Sequence, residues 1–155
     1  MTNVERAREL IEMVRGFGVV DFCVCSGSRN APLIAVISQL DAGVSAGGRA
    51  YSFVDERSAA FFALGRAKRD ERPVAVITTS GTAVAELLPA TIEAYYSGVP
   101  LVLITADRPA RYRGTGAPQA IQQESIFGVY ASRATSDWNR RMPLHINVEF
   151  DEPLF

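Results

Sequence analysis

Two uninterrupted apolar runs constrain the fold of this chain more than any other feature. Pro73–Thr79 reads PVAVITT and Pro100–Thr105 reads PLVLIT, and neither run alternates polar with apolar residues. Strands of this kind occur in parallel sheets, because helices cover both faces of such a sheet. The segment between them, Ala83–Tyr96, has the length and composition of a helix. The pair therefore predicts an α/β fold in which parallel strands are joined by helical crossovers.

The rest of the chain continues this alternation of strands and helices. Pro89 is expected to kink the Ala83–Tyr96 segment or to mark the true start of its helix. The Gly/Ala/Ser-rich segment Asp41–Gly48 is predicted to be a loop. One domain, residues 1–155, with a three-layer doubly wound fold and a mostly parallel sheet is expected. The other predicted helices are Val4–Phe17, Pro32–Leu40, Ser58–Lys68 and Gln119–Phe127, and the other predicted strands are Val19–Cys25, Tyr51–Val54 and Leu144–Val148.

Charge and cysteine content exclude several classes of function. The net charge of −1 offers no basic surface for nucleic acid, and no apolar run is long enough for a membrane span. Cys23 and Cys25 are two residues apart in a predicted strand, so their side chains should point to the same face as buried thiols. Two cysteines and one histidine are too few for a zinc site, and buried free thiols favour a cytoplasmic location.

Four polar segments follow the predicted strands. Ligands of doubly wound folds bind beyond the carboxyl ends of the strands, so these segments predict one site. Strand-to-helix turns also use Ser, Asp, Asn and Gly as helix caps, and this simpler explanation stays open for each turn. The four segments are Ser26–Asn30, Asp55–Arg57, Thr79–Thr82 and Thr105–Arg108.

Among the candidate side chains, Glu56 has the clearest chemical potential. It lies between an aromatic strand and an apolar helix, and a carboxyl group partly withdrawn from water can share a proton at neutral pH. Alternatively, Asp55 or Glu56 only caps the following helix. Ser26-Gly27-Ser28 does not fit the G-x-S-x-G nucleophile motif, and His145 is predicted to be a packed, hydrogen-bonded core residue. Neither phosphate-binding glycine motif is present.

A set of motifs in a fixed order resembles a known family. It consists of Ser26-Gly27-Ser28-Arg29, Asp55-Glu56-Arg57-Ser58, Thr79-Ser80-Gly81-Thr82, Thr105-Ala106-Asp107-Arg108-Pro109 and Gly116-Ala117-Pro118-Gln119. These motifs resemble the N-terminal pyrimidine-binding domain of 2-succinyl-5-enolpyruvyl-6-hydroxy-3-cyclohexene-1-carboxylate synthases, thiamine-diphosphate-dependent transferases of menaquinone biosynthesis. The resemblance covers nearly the whole chain, although the second and third motifs are shared with other thiamine enzymes.

The resemblance implies roles for individual residues. Glu56 would be the catalytic group that hydrogen-bonds the aminopyrimidine ring of thiamine diphosphate. The other cofactor-binding residues would be Thr79, Ser80, Gly81 and Thr82. The substrates 2-oxoglutarate and isochorismate carry carboxylates, which arginine grips with paired hydrogen bonds. The implied substrate-binding residues are Ser28, Arg29, Arg108 and Gln119.

The resemblance also implies groups that lie outside this sequence. Mg²⁺ and the diphosphate would be held mainly by a second domain with a Gly-Asp-Gly motif, which this sequence lacks. We therefore expect one domain of a larger multidomain enzyme that is inactive alone and assembles as a homodimer or higher oligomer. Two alternatives stay open. One is a domain of another thiamine-dependent 2-oxoacid decarboxylase or carboligase, and the other is a non-catalytic α/β module that binds an anion.

Overall fold

A computed structural model describes residues 1–41 and 47–155 and contains one parallel sheet. The strands are β1 (Asp21–Cys25), β2 (Arg49–Phe53), β3 (Val74–Thr78), β4 (Leu101–Asp107) and β5 (Leu144–Glu149). Their order across the sheet is β2-β1-β3-β4-β5, and every neighbouring pair is parallel. The helices are α1 (Asn3–Gly16), α2 (Ala31–Asp41), α3 (Glu56–Asp70), α4 (Thr82–Ala85) and α5 (Leu88–Ser97), with short 3₁₀ turns at Ala110–Tyr112 and Gly128–Tyr130. The predicted α/β class is confirmed.

Strands β1 to β4 send alternate side chains into two separate apolar cores, and β5 contributes to the first of them. Phe22 and Val24 of β1 join the core that α1 and α2 cover. Cys23 and Cys25 join the opposite core, beneath α3 and α5. Both thiols are free and buried, and burial raises the pKa of each to about 12. The prediction that the two cysteines share one face is confirmed, and neither thiol is poised to react near neutral pH.

Local sequence signals account for several helix boundaries. Thr2 and Glu5 form a reciprocal capping box at the start of α1. Pro89 lies in the first turn of α5, where its missing N–H is not needed, so the predicted Ala83–Tyr96 helix is divided into α4 and α5. The longest helix in the described ranges, α3, has 15 residues, and none of these helices is long and apolar enough to cross a bilayer.

The predicted helix at Gln119–Phe127 is wrong, because this segment forms a series of turns. Gln119 has a φ of 53°, in the left-handed region, where a right-handed helix cannot begin. The Gln123 side chain also bonds across to the sheet, which holds the segment down. At the predicted loop Asp41–Gly48, Asp41 belongs to α2, and residues 42–46 lie outside the described residues.

A charge cluster closes the amino end of the sheet around Asp21, whose side chain is fully buried. Arg49 donates to its Oδ1 at 2.7 Å, and Arg66 and Arg72 donate to its Oδ2 at 3.0 and 2.9 Å. Burial raises the pKa of Asp21, but the three arginine contacts outweigh burial and hold it below its ordinary value. The buried carboxylate therefore ties β1 to β2, α3 and the turn before β3.

Candidate functional site

The turns after β1 and β3 lie where the winding direction of the sheet changes. The chain leaves β1 for β2 on one side, and β3 then pairs with the other side of β1. In open α/β sheets, ligands bind in the crevice beyond the carboxyl ends of the strands at such a point. The predicted segments Ser26–Asn30 and Thr79–Thr82 form these two turns, so the structure brings them together.

The backbone of the turn after β1 packs against the Thr79 side chain of the turn after β3. A Cβ added to Gly27 would lie 2.5 Å from the Cβ of Thr79, so only glycine fits there. The Arg29 backbone N–H donates to the Thr79 hydroxyl at 3.3 Å. Asn30 accepts from the Gly27 N–H and donates to the Cys25 carbonyl, each at 2.9 Å. Asn30 therefore stabilises the turn after β1 from within, and the two turns form one packed unit.

Asp55 and Glu56, the acid pair after β2, have different roles in the structure. Asp55 is the N-cap of α3, and its carboxylate accepts from the Ser58 N–H at 2.9 Å. Hydrogen bonds from the Ser58 side chain and backbone lower the pKa of Asp55. Glu56 is the first residue of α3 and is half-buried. Its carboxylate has no hydrogen-bond or salt-bridge partner among the residues that the structure describes, so capping leaves Glu56 available.

Glu56 and the Thr79–Thr82 turn share one edge of the sheet but are not neighbours. The strands β2 and β3 flank β1, which places them two strand spacings, about 10 Å, apart. Within the turn, Ser80 is 2% exposed and Thr82 is exposed. The Gly81 N–H donates to Gln123 Oε1 at 3.0 Å. Gly81 therefore gives the turn its shape while its N–H is already bonded within the chain.

Arg29 is already bonded to the C-terminal segment. Its guanidinium is 5% exposed and forms a 2.9 Å salt bridge with Glu152. It also donates to the Phe150 carbonyl at 2.9 Å. Ser28, next to it, is exposed. A ligand carboxylate would compete with Glu152 for the Arg29 nitrogen that forms this salt bridge, and the substrate-binding role of both residues stays a prediction.

Arg108 and Gln119 lie on the long connection between β4 and β5. Arg108 Nε donates to the Pro118 carbonyl at 2.9 Å, which folds the connection back on itself. Gln119 is exposed and lies directly against Gly81, where an added Cβ would be 2.7 Å from the Gln119 Cβ. The structure therefore places one predicted substrate residue against the predicted cofactor turn.

Sequence reasoning missed a buried polar network behind this loop. Gln123 Nε2 donates to Asn147 Oδ1 at 2.8 Å, and Asn147 Nδ2 donates to Asp107 Oδ2 at 2.9 Å. Arg113 then joins Asp107 to two further carboxylates, at distances of 2.9 to 3.2 Å. The available signal was the polar residues of β5 at alternating positions, His145 and Asn147, which share one face of an otherwise apolar strand.

His145 is part of the same network and is a core residue, as predicted. Its Nε2 lies 2.7 Å from the Thr105 hydroxyl, and its ring packs edge-on against Phe127. Burial lowers the pKa of His145 to about 4, so the imidazole is neutral near pH 7. Within residues 1–41 and 47–155, no three His, Cys, Asp or Glu side chains are grouped closely enough to hold a metal ion.

Comparison with known proteins agrees with this geometry. An α/β domain with its ligand edge at the β1–β3 switch point is the architecture expected for a nucleotide-like cofactor. Residues 5–126 match the family described as thiamine pyrophosphate enzyme, N-terminal TPP binding domain, and the chain belongs to that family.

Proteins with one shared name are similar over most of the chain. The chain is 46% identical over 167 residues to 2-succinyl-5-enolpyruvyl-6-hydroxy-3-cyclohexene-1-carboxylate synthase of Bdellovibrio bacteriovorus, covering 99% of this chain and 30% of that protein. It is 48% identical over 148 residues to the Akkermansia muciniphila protein of that name, covering 88% and 27%. For the Halobacterium salinarum protein the identity is 51% over 127 residues, covering 81% and 21%. The chain thus spans less than a third of these relatives.

Proposed function

We propose that this chain is the pyrimidine-binding domain of a thiamine-diphosphate-dependent carboligase of menaquinone biosynthesis. The reaction is decarboxylation of 2-oxoglutarate followed by addition of the succinyl carbanion equivalent to isochorismate. The family match and the shared name of the relatives support this proposal. The observation that carries it is the Glu56 carboxylate, which begins α3 at the ligand edge and has no protein partner among the described residues.

The residues at this edge fit an aminopyrimidine ring. A free carboxylate can share a proton with a ring nitrogen, and Glu56 supplies that group. Thr78 Oγ1, at the end of β3, is buried without a hydrogen-bond partner in the described part of the chain. When bound, thiamine diphosphate supplies the carbon nucleophile and the electron sink for 2-oxoacid decarboxylation. The role of this chain is to orient the ring and to hold a proton at the Glu56 carboxyl oxygens.

Completion of the site requires groups from elsewhere. Mg²⁺ and the diphosphate are assigned to a partner domain, as the resemblance to thiamine-dependent enzymes implies. We infer a homodimer or higher oligomer in the cytoplasm. Val54, next to the acid pair, is fully exposed, and Phe61 on the outer face of α3 is 43% exposed. Apolar groups beside Glu56 suit a face that a second copy or a partner domain covers.

The substrate residues would bind carboxylates at the same edge. Arg108 and Gln119 lie on the loop against the cofactor turn, and Ser28 and Arg29 lie in the turn after β1. The salt bridge between Arg29 and Glu152 favours one second candidate. If Glu152 keeps Arg29 occupied, the argument for an acidic second substrate weakens, and another thiamine-dependent 2-oxoacid decarboxylase or carboligase fits as well.

The decisive experiment replaces Glu56 in the complete enzyme, with the diphosphate-binding domain present. Glu56→Gln should remove most turnover, because the amide cannot exchange a proton with the ring. It should leave the thermal unfolding temperature unchanged, because Glu56 has no protein partner to lose. Glu9→Gln, the same change on the exposed face of α1, is the matched control and should keep full turnover. Wild-type turnover in Glu56→Gln would refute the assignment.

Substitutions of Arg108 test whether isochorismate is the second substrate. Arg108→Ala should raise the KM for isochorismate more than the cofactor concentration needed for half-maximal activity. Arg108→Lys keeps the charge but loses the Nε bond to Pro118, so it separates anion binding from loop support. Equal losses in isochorismate and cofactor binding for both variants would show that Arg108 is structural, and would favour the second candidate.

A further inference from the structure

The Gln123 side chain occupies a central place between the cofactor turn and the sheet. It is fully buried, and all of its hydrogen-bonding capacity faces protein groups. Oε1 accepts from the Gly81 N–H at 3.0 Å. Nε2 donates to the Ala106 carbonyl at 3.0 Å and to Asn147 Oδ1 at 2.8 Å. A buried glutamine with these three bonds links the turn after β3 to the ends of β4 and β5.

The orientation of the Gln123 amide is fixed by its partners. A flipped amide would place NH₂ against the Gly81 N–H and the carbonyl oxygen against the Ala106 carbonyl. Asn147 cannot adapt by flipping, because its Nδ2 already donates to Asp107 Oδ2. Glutamine therefore satisfies this position in one orientation only, and an isosteric carboxylate would face two acceptors.

Gln123 and Gln119, which are four residues apart in the connection between β4 and β5, both lie against Gly81. Gly81 has a φ of 85°, and a Cβ there would lie 2.9 Å from the Gln119 Cα, so the turn and the loop meet backbone to backbone. Gln119 itself is held at a φ of 53°, a costly conformation for a residue with a side chain. Such strain persists only where neighbouring contacts enforce it.

We infer that Gln123 is a positioning residue that locks the cofactor turn Thr79–Thr82 to the substrate loop at Gln119. The inference rests on the proposed function for the identity of the two ligands. The contact is direct on both sides of Gly81, so a displacement of the loop moves the turn. Gln123 touches neither ligand, and acts by holding Gly81 and Gln119 in register.

The test combines amide exchange with kinetics. In this 155-residue chain, hydrogen exchange of the Gly81 N–H should be slow, and Gln123→Glu should accelerate it at least about tenfold. In the complete enzyme, Gln123→Glu should raise the half-saturating concentrations of thiamine diphosphate and isochorismate together, each by about tenfold. Gln123→Met, which keeps the side-chain size but removes the Oε1 acceptor of the Gly81 N–H, should accelerate Gly81 exchange at least as much and raise both half-saturating concentrations. Gln39→Glu, the same change on the exposed face of α2, is the control and should alter neither.

The outcomes separate the inference from the proposed function. Unchanged Gly81 exchange in both Gln123 variants would overturn the lock. Faster exchange with unchanged half-saturating concentrations in an active enzyme would show that Gln123 is only structural, and would also overturn it. If the wild-type enzyme shows no thiamine-dependent turnover, the proposed function fails, while the exchange result still decides whether Gln123 fixes Gly81.

Discussion

Acidification should destabilise this chain through His145 alone before its carboxylates begin to protonate. Burial holds the pKa of His145 at about 4, against an ordinary value of 6.5. The neutral imidazole is therefore favoured in the folded state, and its full contribution to stability is present above about pH 6.5. The unfolded chain binds the proton first as pH falls. At about pH 4.5 the free energy of unfolding should have dropped by about 2 to 3 kcal/mol relative to pH 7.5, and by about 3 kcal/mol below pH 4.

The surroundings of His145 support the direction of this effect. The Glu124 backbone and carboxylate favour the imidazolium, and Arg133 disfavours it, but burial is the largest influence on the pKa. Asp21, Asp70 and Asp151 have pKa values below their ordinary range. Their contributions are lost only at lower pH, as each carboxylate protonates through its depressed pKa.

Urea unfolding of the wild type and of His145→Gln across this pH range measures the effect. The difference between their unfolding free energies should shrink by about 2 to 3 kcal/mol from pH 7.5 to pH 4.5, because glutamine does not titrate. The chain has a single histidine, so its ring proton resonances give a direct check on the folded protein. Parallel stability curves, or a ring titration with a midpoint near 6.5, would refute the reasoning.

Two further substitutions test the packing on which the site depends. Gly81→Ala should lower the free energy of unfolding by about 2 kcal/mol or more, since it combines a φ of 85° with a Cβ 2.7 Å from that of Gln119. Gly65→Ala, at an open position of α3, should instead stabilise by about 0.5–1 kcal/mol, and similar effects at both sites in urea unfolding would contradict the close contact. Asp21→Asn should cost about 3 kcal/mol or more, because three arginines lose a buried carboxylate. Asp137→Asn, at an exposed position, should leave the urea midpoint unchanged, and an equally small change for Asp21→Asn would show that the arginines are solvated.

The strands and most helices were predictable because their determinants are local. The runs at β3 and β4 are apolar on both faces, and only a covered parallel sheet requires that composition. The connection from β4 to β5 was not predictable in the same way. Its course depends on Gln123, Arg113 and Trp138, whose partners are up to 36 residues away or belong to the sheet. The local spacing of residues does not reveal such distant partners, so the Gln119–Phe127 segment was wrongly predicted to be a helix.

The candidate site likewise has features that local sequence predicts and features that depend on distant partners. The sequence located its turns correctly, because the carboxyl ends of parallel strands share one edge. It could not show that Glu152, 123 residues away along the chain, occupies Arg29. It also left open which member of the acid pair caps α3, although aspartate is the preferred N-cap residue of the two. The structure resolves this choice through one hydrogen bond, from the Ser58 N–H to Asp55.

At this edge of the sheet, polar groups that are hydrogen-bonded within the chain support the fold, whereas a group without such a bond can bind a ligand. Asp55, Arg29, Gly81 and Gln123 each form hydrogen bonds within the chain, so changing any of them should disturb the fold. The Glu56 carboxylate, at the same edge, forms no hydrogen bond or salt bridge with any described residue. Ligand binding is favoured when the surrounding residues are held rigidly and one polar group remains free to bond the ligand. Substitutions here should therefore divide into two sets. Those in the bonded surround should shift stability and binding together, whereas Glu56→Gln should remove turnover and leave the unfolding temperature where it is.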